Sequence, residues 1–272
     1  MPIITLSRGS LTRGGEVAAE VARMLGYRCI AREVLLEASS MFNIPEARLI
    51  HAISGSLSIL DRFTDGRRRY VAYIRAALLE ELVQDDVVYH GFAGQFFVSG
   101  VAHALRVRVE ADPEERVGIV MERDGVSADQ ARALIASNDL EREQWCLHLY
   151  GVGPRDPRLY EMVLQVGRLP AQAAAEIICQ TARLAAFRST PASQQHLEDL
   201  ALAARVQCAL AELTPDIEVI AARGAVTIKT LPQVAGSGAS VRHIEQLAAA
   251  VGGVSTVRID GCLNTGACSC GS

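Results

Sequence analysis

The sequence predicts an α/β protein in which a parallel sheet flanked by helices is followed by a smaller α+β unit. Strand-like and helix-like segments alternate over the first 188 residues, which is the pattern of a parallel sheet with helices on both faces. A glycine-containing loop joins the first strand to the first helix. Beyond residue 193 the order changes to helix, strand, strand, helix and strand, so we expect a separate second domain there.

Composition limits the class of protein. The chain has 272 residues, of which 50% are hydrophobic and only 5% are aromatic, so its core must consist mainly of aliphatic side chains. The net charge of −4 gives no general attraction to nucleic acid or to an anionic membrane. The sequence shows neither a run of 18 apolar residues nor a signal peptide. We therefore expect a cytoplasmic protein with no transmembrane segment and no nucleic-acid partner.

The first strand, the loop after it and the first helix have the order of a phosphate-binding site. An apolar run from Ile3 to Ser7 predicts a strand, and apolar spacing from Glu16 to Leu25 predicts a helix that ends at Gly26. In this order, backbone amides of the loop and of the helix start can face an anion. The candidate nucleotide-binding residues are Arg8, Gly9, Ser10, Thr12, Gly14, Gly15 and Glu16.

The loop departs from the common phosphate-binding pattern. Gly9 and Gly14 keep the G-x-x-x-x-G spacing, but Gly15 stands where a lysine would contact the phosphates. Glu16 stands where a serine or threonine would hold magnesium. The only lysine of the chain is Lys229, which lies in the predicted second domain. A plain strand-to-helix turn without phosphate binding is the alternative interpretation.

Arginines are the candidate replacements for the missing lysine. Arg13 lies inside the loop, whereas Arg123 and Arg142 lie in helical segments that follow the third predicted strand. An arginine that lies close to a transferring phosphate can stabilise its developing charge. Together with Asp139 these three arginines are the candidate catalytic residues. The alternative is a solvated helix face on which the charged side chains pair with one another.

The remaining elements of the first domain follow from periodicity and from capping residues. Asp112 and Ser127 are predicted helix N-caps, and Pro45 interrupts a helical stretch at 33–60. Further strands are predicted at 87–91, 105–109 and 160–166, and further helices at 70–82, 113–123, 128–150 and 170–187.

The C-terminal third divides into a linker, a domain and a tail. Residues 189–193 have the composition of a linker, residues 194–261 predict an α-β-β-α-β domain, and residues 262–272 form a cysteine-containing tail. The tail cysteines at 262, 268 and 270 lack the paired spacing of a zinc site, so we expect no protein-held metal there. The seven cysteines are odd in number and scattered, which argues against a disulfide framework.

A series of short segments in the first 188 residues resembles the cytidylate-kinase-like family of nucleoside monophosphate kinases. The resemblance is carried by the order and spacing of these segments: Ile4–Arg8 with its glycine loop, Val87–Gly91, Ala111–Arg116 and Asp139–Arg142. It implies a P-loop-kinase-type fold with a lid, and transfer of the γ-phosphoryl group of ATP to a nucleoside monophosphate such as CMP or dCMP. It also implies Mg²⁺ as the cofactor that accompanies ATP.

The resemblance also bears on individual residues. Asp139 and Arg142 match the acid-x-x-arginine pattern of the family's lid, and Arg32 would bind the monophosphate. The chain departs from the family at Ala31, where an acidic residue is frequent, and at Phe92, where an arginine follows the strand glycine. Gly15 likewise replaces an arginine that relatives carry in the loop.

The C-terminal domain is similar to the BON domain in its segments Gly224–Ile228 and Gly252–Val257. That resemblance implies contact with lipid or with a protein partner. Three functions therefore remain open: a nucleoside monophosphate kinase, a catalytically degenerate nucleotide sensor, and a partner-binding protein whose ancestral site is lost. The missing loop lysine and Phe92 favour the second and third, whereas the retained glycines and lid residues favour the first and second.

Overall fold

The computed structural model describes residues 2–9, 13–31, 33–54, 66–213, 217–229 and 238–260. The predicted site residues Ser10, Thr12 and Arg32 lie outside the described residues, as do the side chain of Arg8 and the tail 262–272. The described strands form a five-stranded sheet and a separate three-stranded sheet. The predicted combination of an α/β fold with a small α+β unit is therefore confirmed.

The larger sheet is parallel throughout, with the strand order β2-β3-β1-β4-β5. Its central strand β1 is the apolar run at the start of the chain, and both of its faces are buried, which explains the absence of polar alternation there. The strands are β1 (Ile3–Arg8), β2 (Arg28–Ile30), β3 (Val87–His90), β4 (Ala104–Ala111) and β5 (Met162–Val166).

Helices cover both faces of this sheet. On one face, fully buried Val17, Val21 and Ile178 join the first and last helices of the domain to the strands. The helices are α1 (Gly14–Leu25), α2 (Glu33–Phe42), α3 (Glu46–Ser54), α4 (Gly66–Leu82), α5 (Gly94–Phe97), α6 (Pro113–Asp124), α7 (Ala128–Tyr150) and α8 (Ala171–Ala182). No helix within the described ranges is long and apolar enough to cross a bilayer.

Capping residues set several helix ends where the sequence predicts them. The Asp112 carboxylate accepts a hydrogen bond from the amide of Glu114, and Ser127 forms a capping box with Gln130. Gly26 adopts a left-handed conformation with φ of 73° and ends α1. The predicted helix 170–187 is shorter than expected, because α8 ends at Ala182 and is followed by a separate 3₁₀ turn.

The C-terminal elements form the predicted α-β-β-α-β order. Their sheet has the order β6-β7-β8, with an antiparallel first pair and a parallel second pair. Arg223 and Gly224 both have positive φ, of 50° and 85°, as a tight two-residue hairpin turn requires. The elements are α9 (Pro191–Leu210), β6 (Glu218–Ala222), β7 (Ala225–Lys229), α10 (Gly238–Ala249) and β8 (Thr256–Asp260).

Helix α9 belongs to two cores. Leu197, Ala201 and Ala204 lie in the core that contains α4, whereas Val206 and Leu210 lie in the core of the C-terminal sheet. The segment predicted as a linker contains the N-cap residue Thr190 and the first helical residue of α9. The C-terminal unit is therefore packed directly against the larger domain through one continuous helix.

Replacing Leu197 by alanine tests this packing. Leu197 is 0% exposed, so we expect its truncation to lower the free energy of unfolding by about 2–5 kcal/mol. Leu184 is 55% exposed, and its replacement by alanine should change the free energy by less than about 0.5 kcal/mol. Urea denaturation of both variants measures the difference, and equal effects would contradict the placement of α9 in the larger core.

Candidate functional site

The carboxyl ends of β1, β3 and β4 meet at one edge of the parallel sheet. The amide of Gly9 donates a hydrogen bond to the carbonyl oxygen of Val109 at 3.0 Å, so β1 stays paired with β4 up to the start of the loop. Helix α1 begins a few residues later, at Gly14. Ligands of open α/β sheets bind at this edge, where the positive end of a helix dipole also points.

The start of α1 carries neither a lysine nor a side-chain cap. Arg13 is the N-cap residue, and its carbonyl oxygen accepts the amides of Glu16 and Val17 at 3.0 and 3.3 Å. The Arg13 side chain is exposed, and its Nε lies 4.0 Å from the Glu115 carboxylate. The predicted order of strand, loop and helix is thus present. The Arg13 side chain, however, faces the Glu115 carboxylate.

His90, the last residue of β3, lies beside the start of α1. A Cβ atom on Gly15 would lie 3.7 Å from Cε1 of the imidazole, which is ordinary van der Waals contact. Backbone amide hydrogen bonds hold the pKa of the nearby Glu33 carboxyl below its usual range, and the charge of His90 acts in the same direction. The imidazole therefore lies between the loop edge and the first turn of α2.

The segment after β3 has a tightly constrained backbone. The Tyr89 hydroxyl donates a hydrogen bond to the Phe92 carbonyl oxygen at 3.0 Å, and a Cβ atom on Gly91 would overlap that hydroxyl. Gly94 is restricted in the same way, since its Cβ would come within 2.7 Å of the Tyr89 ring. Glycine is therefore required at both positions, and Phe92 is held at the sheet edge.

Two adjacent cavities open at this edge and share the wall formed by residues 91–93 and Arg142. The larger has a volume of about 230 Å³ and mainly apolar walls, among them Leu35, Val71, Ile74, Phe97 and Trp145. The smaller has a volume of about 30 Å³ and polar walls, among them Ser7, Gly9, Gln95, Arg108, Asp139 and Arg155. A cavity with mainly apolar walls thus adjoins a small one that is lined by three arginines and two acids.

Helix α7 covers the smaller cavity with one polar face. Asp139, Arg142, Glu143 and Cys146 follow helical spacing and all line that cavity. The Arg142 guanidinium lies 5.8 Å from the centroid of the Phe92 ring, a cation–π distance. Phe92 therefore helps to orient Arg142. From the sequence alone, Phe92 is only the replacement of an arginine that follows the strand glycine in the family.

Asp139 holds two arginines rather than standing open to the cavity. Its carboxylate accepts two hydrogen bonds from Arg116, at 2.8 and 2.9 Å, and one from Arg155 at 3.0 Å. Arg116 is only 5% exposed, so this pair is largely shielded from water. The arrangement fixes α7 against α6 and against the loop before β5, and it leaves Asp139 poorly placed to accept a proton from a substrate.

Arg123 is the predicted catalytic residue that lies away from the cavities. It lies in the last turn of α6, is more than half exposed, and pairs with its neighbour Asp124 at 2.6 Å. It lines neither of the two cavities. Of the four candidate catalytic residues, the structure brings Asp139 and Arg142 together and leaves Arg13 and Arg123 on the surface.

Several residues at the site were not singled out from the sequence. Arg108 on β4 is one of them and is only 5% exposed. The alternation of charged and apolar residues over 105–110, unusual for an inner parallel strand, was the available indication. The other residues, which become visible only through tertiary contacts, are Gln95, Arg116, Trp145, Arg155 and Tyr160.

The described residues do not fit a magnesium site held by the protein. Magnesium requires oxygen ligands in near-octahedral geometry, usually including one or two carboxylates. Here the Asp139 carboxylate is engaged by two arginines, and Glu16 is exposed in the first turn of α1. Within the described ranges, no group of three or more His, Cys, Asp or Glu side chains is placed to hold a metal ion.

A family model described as the cytidylate kinase-like family matches residues 3–168. This chain belongs to the cytidylate kinase-like family. The match covers the five-stranded sheet and its lid helices, so the larger domain has a kinase-type nucleotide-binding fold. It ends before α8, and the C-terminal unit lies outside it.

Two solved structures are similar to this chain over about two thirds of its length. An uncharacterized protein from Eubacterium ventriosum aligns with a TM-score of 0.51 at 16% identity, over 66% of this chain and 97% of that one. Shikimate kinase from Bacteroides thetaiotaomicron aligns with a TM-score of 0.43 at 13% identity, over 67% and 99% of the two chains. Comparison with curated protein sequences gives no match.

The reactivity of Cys146 provides a test of how closely α7 covers the site of this kinase-like domain. Burial raises the pKa of Cys146 to about 12 from a usual value of 9.0, although Arg108 and Arg142 act in the opposite direction. Only the thiolate reacts, so at pH 8 its labelling should be roughly a thousandfold slower than that of an ordinary exposed thiol.

The measurement is labelling with a thiol reagent followed by peptide mass mapping. Cys29 is exposed and serves as the internal control; burial and the charge of Glu33 raise its pKa too, so it should react more slowly than an ordinary thiol. Cys146 should become labelled only after denaturation. Labelling of Cys146 as fast as Cys29 in the native protein would contradict the closed position of α7.

Proposed function

We propose that this protein binds a nucleotide through its phosphate groups, at the carboxyl edge of the five-stranded sheet, and transfers phosphoryl groups slowly. ATP is the proposed nucleotide, and a nucleoside monophosphate such as CMP or dCMP is the proposed acceptor. The supporting observation is the small cavity that Gly9 shares with Arg108, Arg142 and Arg155. Three guanidinium groups at one cavity are suited to an anionic ligand.

Phosphate binding is supported by the kind of charge present. Guanidinium groups donate paired hydrogen bonds in a planar fork, and this geometry matches phosphate oxygens. The cations reach the cavity from three separate elements, β4, α7 and the loop before β5. The start of α1 at the same edge contributes the positive end of its dipole.

Slow transfer is supported by what the loop and the lid lack. Phosphoryl transfer depends on alignment and on charge neutralisation, with little covalent help from the protein. Gly15 provides no side-chain cation at the start of α1, and Arg13 faces Glu115. Asp139 is occupied by Arg116 and is unsuited to act as a base.

The larger cavity is the proposed acceptor site. Its apolar walls and the aromatic rings of Phe92 and Trp145 suit the flat face of a nucleobase. The two rings pack edge to face with centroids 4.1 Å apart, so one wall is rigid. His90 and Arg142 are the lining side chains from which an acceptor phosphate would receive hydrogen bonds.

A second candidate function is nucleotide sensing by a catalytically degenerate kinase fold. It is favoured by the packing of α4, which carries Val71 and Ile74 into the larger cavity and contacts α9 on another side. Ligand binding in the larger cavity would then affect the C-terminal unit through the contact between α4 and α9. A BON-like role of that unit, in contact with lipid or with a protein partner, belongs to this second proposal.

Thermal unfolding with and without nucleotide tests the binding step. ATP at a hundredfold its dissociation constant should stabilise the protein by about 2.7 kcal/mol. The series should contain ATP, ADP, CMP and inorganic phosphate, each measured with and without added magnesium chloride. The absence of any stabilisation by ATP or ADP would contradict nucleotide binding.

Coupled ADP release with CMP, dCMP and UMP separates the kinase from the sensor. We expect turnover below about 1 s⁻¹, the lower end of the usual range for kinases. Turnover well above that value would contradict slow transfer. Turnover indistinguishable from the protein-free blank, with binding intact, would support the sensor.

Alanine variants of two arginines test the proposed site. Arg142→Ala should lower turnover by at least about tenfold, because it removes a cation that lines the cavity and stabilises developing phosphate charge. Arg13→Ala should lower turnover less, because the Arg13 side chain is exposed and faces Glu115. The matched control is Arg132→Ala, an exposed arginine on the same helix as Arg142 that pairs with Glu114. Unchanged turnover in both site variants would remove these residues from the mechanism.

A further inference from the structure

Arg108 is a buried cation in the middle of the site. On β4, the apolar residues at 105, 107 and 109 face the core shared with α1 and α8. The alternation of a strand therefore turns Arg106, Arg108 and Glu110 to the other face, toward α7. Arg108 is 5% exposed, and a buried guanidinium is retained only where partners or a function compensate its desolvation.

The partners of Arg108 use only part of its hydrogen-bonding capacity. Its Nε donates to the Glu110 carboxylate at 2.6 Å, and its Nη2 lies 2.5 Å from the same carboxylate oxygen, so Glu110 engages one side of the guanidinium and leaves Nη1 with weaker contacts. Its Nη1 lies 3.4 Å from both Ser7 Oγ and the Tyr160 hydroxyl, which is long for a hydrogen bond between such atoms. Tyr160 in turn donates to the Pro154 carbonyl oxygen at 2.7 Å and is thereby fixed. A stronger acceptor entering the cavity could therefore replace these weak contacts.

Gln95 provides a second, independent observation at the same cavity. It is 3% exposed and lines the small cavity together with Arg108. Among the described residues, its Oε1 atom has no hydrogen-bond partner. Buried amide groups are normally satisfied by protein, water or ligand. Rotation of the Gln95 amide by 180° exchanges its oxygen for its N–H₂ group, so Gln95 can present a hydrogen-bond donor to an anion in the cavity. The cavity is therefore built to receive a polar group.

We propose that Arg108, supported by Gln95, supplies the phosphate-binding cation that the loop of this protein lacks. Arg108 would bind a phosphate oxygen of the nucleotide, and the Gln95 amide would hydrogen-bond the same phosphate group. The positive charge then reaches the phosphates from strand β4 instead of from the start of α1. This inference rests on the proposed nucleotide binding and identifies the residues on which it depends.

The position of Gly15 allows a direct rescue experiment. Among the described residues, a Cβ atom at this position would meet the His90 ring at 3.7 Å and no backbone atom, so this part of the chain leaves room for a lysine. A lysine there would restore the cation that phosphate-binding loops usually carry. If Arg108 replaces that cation, Gly15→Lys should compensate for the loss of Arg108.

The test compares Arg108→Met with Arg106→Met. Arg106 lies on the same strand and face, pairs with Glu161, and does not line the small cavity. Calorimetry with ATP and with inorganic tripolyphosphate should show affinity lowered by at least about tenfold in Arg108→Met and within about twofold of wild type in Arg106→Met. Arg108→Met combined with Gly15→Lys should recover most of the lost affinity.

The outcomes separate this inference from the proposed function. If wild type binds neither ligand, nucleotide binding itself is wrong, and the role of Arg108 is wrong with it. If wild type binds and Arg108→Met binds equally well, the role of Arg108 is wrong and nucleotide binding stands. Should Arg108→Met unfold because Glu110 is left unpaired, Arg108→Met with Glu110→Gln removes both charges and permits the same comparison.

Discussion

The geometry of the site depends on the hydrogen bonds that the Asp139 carboxylate accepts from Arg116 and Arg155. The carboxylate joins three separate pieces of chain, because Arg116 comes from α6, Arg155 from the loop before β5, and Asp139 itself from α7. Since Arg116 is nearly inaccessible to water, removal of its partner would leave an uncompensated buried charge. The lid is therefore held in place by a shielded ion pair, and Arg142 takes its position over the cavity from that support.

The electrostatic design of the site differs from that of a lysine-bearing phosphate loop. In such a loop, the cation and the backbone amides belong to one short segment, so the fold of that segment alone positions both. Here the charges come from β4, α7 and the loop before β5, so the cationic site exists only when these elements are packed. Under the proposed function, affinity for an anion would therefore depend on the packing of α7 over the site more strongly than in a protein whose loop carries its own cation.

Much of the fold could be predicted from interactions between residues that are close in sequence. The arrangement of the charged side chains at the site could not. The strand-loop-helix order and the caps at Asp112 and Ser127 depend on neighbours within a few residues, and these predictions were confirmed. The pairing of Asp139 with Arg116 spans 23 residues and depends on the crossing of α6 and α7. Arg108 could be identified only once α7 was known to cover its face of β4.

The linker prediction shows the same limit at a domain boundary. A Thr-Pro-Ala-Ser stretch is typical of a connecting segment, but Thr190 with proline at the next position is equally typical of a helix start. Local composition does not distinguish the two. The tertiary contacts of Leu197 and Ala201, which are buried in the same core as α4, make this segment the start of a helix.

Because α4 also lines the larger cavity, the helix that connects the two units packs directly behind the proposed acceptor site. Arg205 of α9, paired with Glu80 of α4 at 2.6 Å, links the same two helices through a polar contact. Any movement of α4 on ligand binding must therefore either carry the C-terminal sheet with it or break that packing.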